Sequence, residues 1–253
     1  MWQPPITLEH ICMTAFHLPK NAALFLDFDG CLVEIADRPD AITVPDALPG
    51  RLARLHDRLG GAVALVSGRD VADLRRYLPD FPGVIAGSHG AEMSMDGSRI
   101  EATHTVALDA EALHRKARDK AAAHPAVLVE TKPHGVVMHY RADPALRGFV
   151  EDSMAELAAT HPGMALQPAK MAVELRPEGS GKDGALARLM DIAPFAGRVP
   201  VYAGDDLTDE PAIAEAQTRG GFGIKIGEGD TEALHRLPDP AALADWLDSV
   251  SAE

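Results

Sequence analysis

Three segments of the chain gather oxygen ligands beside glycine. The first, Asp27-Phe28-Asp29-Gly30-Cys31, sets two carboxylates two residues apart. Where a strand ends, side chains two apart face the same side, so Asp27 and Asp29 are aimed at one small volume. A carboxylate there serves as a nucleophile or a cation ligand, and Gly30 lets the chain turn sharply and expose its amides. An EF-hand calcium loop shares part of this pattern but needs further oxygen ligands and a glutamate at its twelfth position, which this segment lacks. A solvated turn that merely ends a strand fits the pentapeptide as well. The second segment, Ser67-Gly68-Arg69, offers a hydroxyl and free amides to a phosphate oxygen, although a plain helix cap has the same look. The third, Gly204-Asp205-Asp206-Leu207-Thr208-Asp209-Glu210, holds four acids in six residues. Such charges repel by about 1–4 kcal/mol per close pair unless a cation sits among them. Hard oxygen donors without histidine or cysteine favour magnesium over zinc. Thr208 and Asp209 also read as caps of a following helix. Lys182, in Gly179-Ser180-Gly181-Lys182-Asp183-Gly184, departs from a nucleotide-binding loop because Asp183 follows the lysine. Alone it reads as a surface charge; its place where the chain re-enters its α/β part gives it more weight.

These segments need a scaffold that brings them together. Five apolar runs, residues 22–28, 62–67, 83–87, 199–204 and 221–226, are rich in Val, Ile, Leu and Ala without clean alternation. That pattern predicts strands buried on both faces. Helical spacing follows the first run (Leu48, Leu52, Leu55, Leu59), the second (70–78, stopped by Pro79) and the fourth (209–218). The alternation predicts a parallel sheet covered by helices, whose strand ends all meet at one rim. The middle of the chain breaks the rhythm: a helix over 109–124, a hairpin turning at Lys132-Pro133-His134, a helix from Asp143-Pro144, and a second hairpin over 164–176. This predicts an α+β module inserted into an α/β core, dividing the chain into 1–104, 105–178 and 179–253. A closing helix over 241–247 carries Trp246.

Composition bounds the partners. The 253 residues are 46 % hydrophobic and 25 % charged, with a net charge of −14, the make-up of a globular chain with ample core. So acidic a surface repels nucleic acid and anionic membranes. The two cysteines, Cys12 and Cys31, form no zinc or disulfide framework. The N-terminal stretch lacks a basic leader followed by an apolar run, and no segment is long and apolar enough to span a membrane. A cytoplasmic protein is expected.

Taken together, Asp27 at strand one, Ser67 at strand two, Lys182 before a helix and the acid cluster at the fourth strand resemble the haloacid dehalogenase superfamily of phosphohydrolases. From about residue 22 to 250 the chain resembles its trehalose-6-phosphate phosphatases. The more specific marks are the Gly204–Glu210 segment, Gly87-Ser88-His89-Gly90-Ala91-Glu92, Glu130-x-Lys132 leading to His139-Tyr140-Arg141, and Lys170-x-x-x-Glu174-x-Arg176-Pro177. The resemblance implies a Rossmann-like core with an αββαββ cap and a Mg2+-dependent phosphatase acting on a sugar phosphate. It implies an aspartyl-phosphate on Asp27, with Asp29 as general acid and base, and Ser67 and Lys182 holding the phosphate. It places magnesium at Asp27, the Asp29 carbonyl and Asp205, with Asp206 and Asp209 completing the metal site by orienting its ligands and Lys182. Sugar phosphate recognition falls to Ser67, Gly68, His89, Gly90, Lys132, Arg141, Lys170, Glu174 and Lys182. Cys31 departs from the family, which usually has threonine there, and a thiol donates hydrogen bonds weakly. Two alternatives stand beside this reading: a phosphatase of the same superfamily for sucrose phosphate or mannosyl-phosphoglycerate, and a phospho-acceptor signalling module. Glu130, Lys132, Arg141 and Glu174 also read as cross-strand charge pairs on an exposed sheet face.

Overall fold

The apolar runs assemble around β1 (Ala22–Leu26), whose five residues are all buried. The computed structural model describes residues 16–36, 38–95, 101–102, 108–169 and 171–251. After β1 come α1 (Leu48–Arg58), β2 (Val63–Val66), α2 (Val71–Tyr77) and β3 (Val84–Gly87), then two short strands, β4 (Glu92–Ser94) and β5 (Glu101–Ala102). A separate group follows: α3 (Ala110–Ala121), β6 (Leu128–Lys132), β7 (Gly135–His139), α4 (Arg147–Ala159), β8 (Met164–Ala169) and β9 (Ala172–Pro177). The chain then returns through α5 (Lys182–Met190), β10 (Val199–Gly204), α6 (Glu210–Thr218), β11 (Phe222–Ile226), β12 (His235–Leu237) and α7 (Pro240–Ser251).

The larger sheet runs β12-β11-β10-β1-β2-β3-β4-β5. Its first six strands are parallel, as the buried runs predict, while β4 and β5 add an antiparallel edge. Neither that edge nor β12 is foreshadowed by an apolar run. Residues of α1 with α7, and of α5 with α6, pack as pairs. The register decides where the site lies. Leu26 is opposite Ala203 on one side and Leu65 on the other. Residues just past these positions therefore emerge side by side at the carboxyl rim: Asp27, Gly204-Asp205 and Ser67.

The four-stranded sheet, β6-β7-β9-β8, is antiparallel throughout. It has its own core: Val136, Met138, Val173 and Leu175 from the sheet meet Leu113 and Ala117 of α3 and Val150, Met154 and Leu157 of α4. Strand alternation sends Val137, Ala172 and Glu174 to the opposite face, and that face roofs a cavity of about 600 Å3 above the parallel-sheet rim. The helix expected at Asp143 begins as a 3-10 turn, Pro144–Leu146, capped by the Asp143 carboxylate, before α4. Among the described residues, no helix is long and apolar enough to cross a membrane.

Candidate active site

Asp27 follows β1 directly, and its amide donates to the Ala203 carbonyl of β10 at 2.9 Å. The next turn requires Gly30: its φ is +70°, and a Cβ there would lie 2.1 Å from Asp205 Oδ2. The missing side chain thus admits the Asp205 carboxylate beside the Asp27 loop. Carboxylate oxygens of Asp27, Asp205 and Asp209 lie within 4.8 Å of one another.

Lys182, the first residue of α5, is 3 % exposed. Its Nζ stands 2.9 Å from Asp27 Oδ2 and 2.7 Å from Asp209 Oδ1. Burial works against its charge, but the two carboxylates outweigh that and hold its pKa above the ordinary lysine value. Asp209 is fully buried, and it also accepts from the Tyr202 hydroxyl at 2.6 Å and from the Asp206 amide at 3.0 Å. Asp209 stands at the start of α6 yet makes no capping bond; its carboxylate faces the site instead. Asp27 experiences burial first, then the charge of Asp209, which together raise its pKa well above the ordinary range, against the pull of Lys182. Asp205 is pushed up to about 7 by burial and by Asp209.

Asp29 lines the same cavity as Asp27, but its carboxylate is engaged. Both of its carboxylate oxygens accept from Arg69, Nε at 2.7 Å and Nη2 at 2.8 Å, while Arg69 Nη1 also binds Asp73 at 2.7 Å. The Arg69 guanidinium lies over Tyr77 at 5.2 Å. A guanidinium is therefore the partner of the expected acid/base residue, and the Asp29 side chain is not among the gathered carboxylates. Asp206 also stands outside that group and contributes its amide to Asp209. Ser67 is buried beside them, its Oγ accepting from the Arg69 amide at 3.2 Å. Cys31 is buried with its Sγ 3.4 Å from the Ala203 carbonyl, and burial followed by the charge of Asp27 raises its pKa well above the ordinary thiol value.

The roof meets this floor through polar contacts. Lys132 Nζ donates to the Gly68 carbonyl at 2.6 Å and lies 3.5 Å from Glu174 Oε1. Glu174 is 4 % exposed and accepts from His89 Nε2 at 3.0 Å. Burial alone would raise the Glu174 pKa, but the Lys132 charge and His89 outweigh it and hold the carboxyl below its usual range. His89 has its own pKa lowered, chiefly by burial and against the pull of Glu174. Glu174 is thus no member of an exposed sheet face. Glu130 accepts from His139 at 2.8 Å across the hairpin, which does match the cross-strand reading for that residue. Arg141 is exposed and lines the cavity; Lys170 lies outside the described residues.

The loop 88–90 is bent to serve both layers. Ser88, His89 and Gly90 all have positive φ, at 49°, 54° and 84°. For the first two this costs about 1–2 kcal/mol each. The His89 amide bond to the Ser67 carbonyl, at 2.9 Å, and the Ser88 amide bond to the Arg69 carbonyl, at 2.8 Å, help offset it. Glu92 supports the same corner, accepting from the Val71 amide at 2.7 Å at the start of α2. Reading the sequence alone gives Tyr202, Arg69 and Glu92 no role. Tyr202 looks like one more strand residue, whereas Arg69 directly follows a motif serine and glycine, a signal that singles it out.

Comparison with known proteins agrees with this geometry. The family model for trehalose-phosphatase matches residues 25–239. The chain is 35 % identical to the trehalose-6-phosphate phosphatase of Escherichia coli strain K12, over 92 % of this chain and 88 % of that protein. It is 40 % identical to a probable trehalose-phosphate phosphatase of Sinorhizobium fredii, over 88 % and 85 %. Among solved structures, the C-terminal domain of Candida albicans trehalose-6-phosphate phosphatase superposes with a TM-score of 0.79 at 22 % identity, covering 92 % of each chain; at that identity the likeness concerns the fold. Motif spacing, sheet register and sequence similarity converge, and the chain belongs to the trehalose-phosphatase family.

Proposed function

We propose that this chain hydrolyses trehalose 6-phosphate to trehalose and phosphate, with Asp27 as the nucleophile and Mg2+ as the resident cation. The observation that carries the reading is the meeting of Asp27, Asp205 and Asp209 around the Lys182 ammonium, beneath a roof bearing Lys132 and Glu174. Three carboxylates against one ammonium leave two negative charges uncompensated, and every donor in the group is a hard oxygen, so the residues fit a magnesium ion. Asp27 and Asp205 would hold it, with Asp209 beside them. When bound, the ion screens the repulsion between a carboxylate nucleophile and a phosphate dianion.

In the first step Asp27 Oδ forms a bond to phosphorus as the bond from phosphorus to the sugar oxygen breaks. Asp29 gives that oxygen its proton. In the second, water attacks the same phosphorus, Asp29 takes the water proton, and Asp27 is released with inorganic phosphate. Arg69 engages both Asp29 oxygens, so donating in the first step requires the Asp29 carboxyl to leave Arg69. Ser67 and Lys182 position the non-bridging oxygens as charge shifts among them. The paired donors and acceptors of Lys132, Glu174 and His89 suit the hydroxyls of a sugar. Arg141 and Lys170 are proposed as further sugar contacts, residues 105–178 as the cap, and the cytoplasm as the compartment, in accord with only two cysteines.

Phosphate release from a panel of sugar phosphates, with Mg2+ and with excess EDTA, tests this. Trehalose 6-phosphate should be the preferred member, EDTA should stop turnover, and Asp27→Asn should abolish it with the thermal midpoint nearly unchanged. Turnover by the Asn variant would rule out the nucleophile, and activity in EDTA would rule out the cation.

A further inference from the structure

Lys225 is the fourth of five residues in an otherwise apolar strand, β11, with Ile224 and Ile226 buried on either side. It is 3 % exposed. Burying an ammonium costs several kcal/mol unless its donors are used, so something must hold it there. The strand register sets Lys225 opposite Gly204, immediately before the acid cluster. From there its Nζ donates to the main-chain carbonyl of Asp205. The same Nζ is 3.9 Å from Glu210 Oε1, an oxygen that is buried and accepts no hydrogen bond. The other Glu210 oxygen accepts from Thr231 Oγ1 and from the Glu232 amide, both at 3.1 Å.

We propose that Lys225 is a positioning residue, which fixes the backbone of the acid loop so that the Asp205 carboxylate is presented to Asp27. The loop is then held from two sides. Lys225 fastens the Asp205 carbonyl, and the space left by Gly30 receives its carboxylate. Glu210 ties the far end of the loop to the segment after β11 and shares the Lys225 charge. The inference rests on the proposed reading of Asp27, Asp205 and Asp209 as cation ligands.

Two roles for Lys225 predict opposite signs. If it acted only as a charge, removing it would leave the carboxylates more negative and tighten Mg2+ binding. If it positions the loop, removing it loosens the site and weakens binding. Isothermal titration of Mg2+ into the full chain, without substrate, separates the two. Lys225→Met should weaken Mg2+ roughly tenfold, about 1.4 kcal/mol, with the KM for sugar phosphate at saturating Mg2+ unchanged. Lys225→Gln keeps a donor without the charge and should fall between wild type and Lys225→Met. A folded Lys225→Met that binds less than threefold more weakly, or more tightly, would overturn the proposal, as would a shifted KM. If Lys225→Met does not fold, Lys225→Gln is read alone: weaker binding than wild type upholds the proposal, and equal or tighter binding overturns it. A wild-type chain that takes up no Mg2+ would instead overturn the cation site itself.

Discussion

Replacing Lys182 with methionine removes one ammonium from between two carboxylates and leaves the shape of the aliphatic stem nearly intact. Lys182 is 3 % exposed, Asp27 is 5 % exposed and Asp209 is fully buried, so the variant strands two acids in a site with little water. Breaking a buried pair in this way costs about 3–5 kcal/mol. For a chain of this size, each kcal/mol moves the thermal midpoint by about 2–4 °C, so in EDTA the midpoint should fall by about 6–20 °C. Saturating Mg2+ returns positive charge to the same carboxylates and should recover part of that loss. Turnover is a separate matter. Loss of one preorganised donor to a developing oxyanion typically lowers kcat by about 100- to 1000-fold, and Mg2+ should not restore it. Thermal unfolding with and without Mg2+, paired with phosphate release on the same samples, reads both effects. A variant within 1 kcal/mol of wild type in EDTA would refute the view that Lys182 neutralises this cluster. Unimpaired turnover would refute its role toward phosphate.

Glu174→Ala removes the carboxylate shared by His89 and Lys132, and should lower kcat/KM for trehalose 6-phosphate at least tenfold more than for p-nitrophenyl phosphate; equal losses on the two esters would take Glu174 out of sugar recognition. In EDTA, Asp205 binds its proton with a pKa of about 7 instead of 3.8, because burial and then Asp209 disfavour its carboxylate. Between those values the folded chain holds more protons than the unfolded one, so stability should fall as pH rises from about 4 to 7, by at most about 1.4 kcal/mol per pH unit. His89, whose pKa is lowered, contributes the opposite slope below 6.5. The difference between urea midpoints in EDTA and in Mg2+ cancels that contribution, and a difference that does not widen with pH would count against the Asp205 shift.

Much of this arrangement is readable without coordinates. The strands of the parallel sheet announce themselves because burial on both faces leaves no room for polar alternation, and Leu48, Leu52, Leu55 and Leu59 mark α1 by spacing alone. The edges are a different matter: β4 is Glu92-Met93-Ser94 and β12 is His235-Arg236-Leu237, too short and polar to stand out. Asp27, Ser67 and Asp205 are legible as site residues because each closes an apolar run, where the rim of an α/β sheet must lie. Asp209 is ambiguous in sequence because helix capping accounts for an acid at its position equally well; only its contacts with Lys182 and Tyr202 decide. The Asp29 contact with Arg69 spans 40 residues, and nothing local encodes it. Lys225 is hidden for a related reason. One lysine in a strand normally signals a solvent face, and only the neighbouring strand shows that its tip lands on a carbonyl.

The stretch from β9 to α5 is a short mechanical link between the two layers. Glu174 of the roof and Lys182 of the floor belong to one continuous segment, with only residues 178–181 between strand and helix. Four residues span at most about 14 Å when drawn straight, and Ser180 is tucked in, its Oγ donating to the Pro177 carbonyl at 2.6 Å. The residue that would touch sugar is leashed to the residue that would touch phosphate, so any swing of the upper layer pivots close to the reacting atoms. Grafting a different roof onto this base would transplant the hinge along with the specificity, and inserting even a few residues into the leash should slacken both.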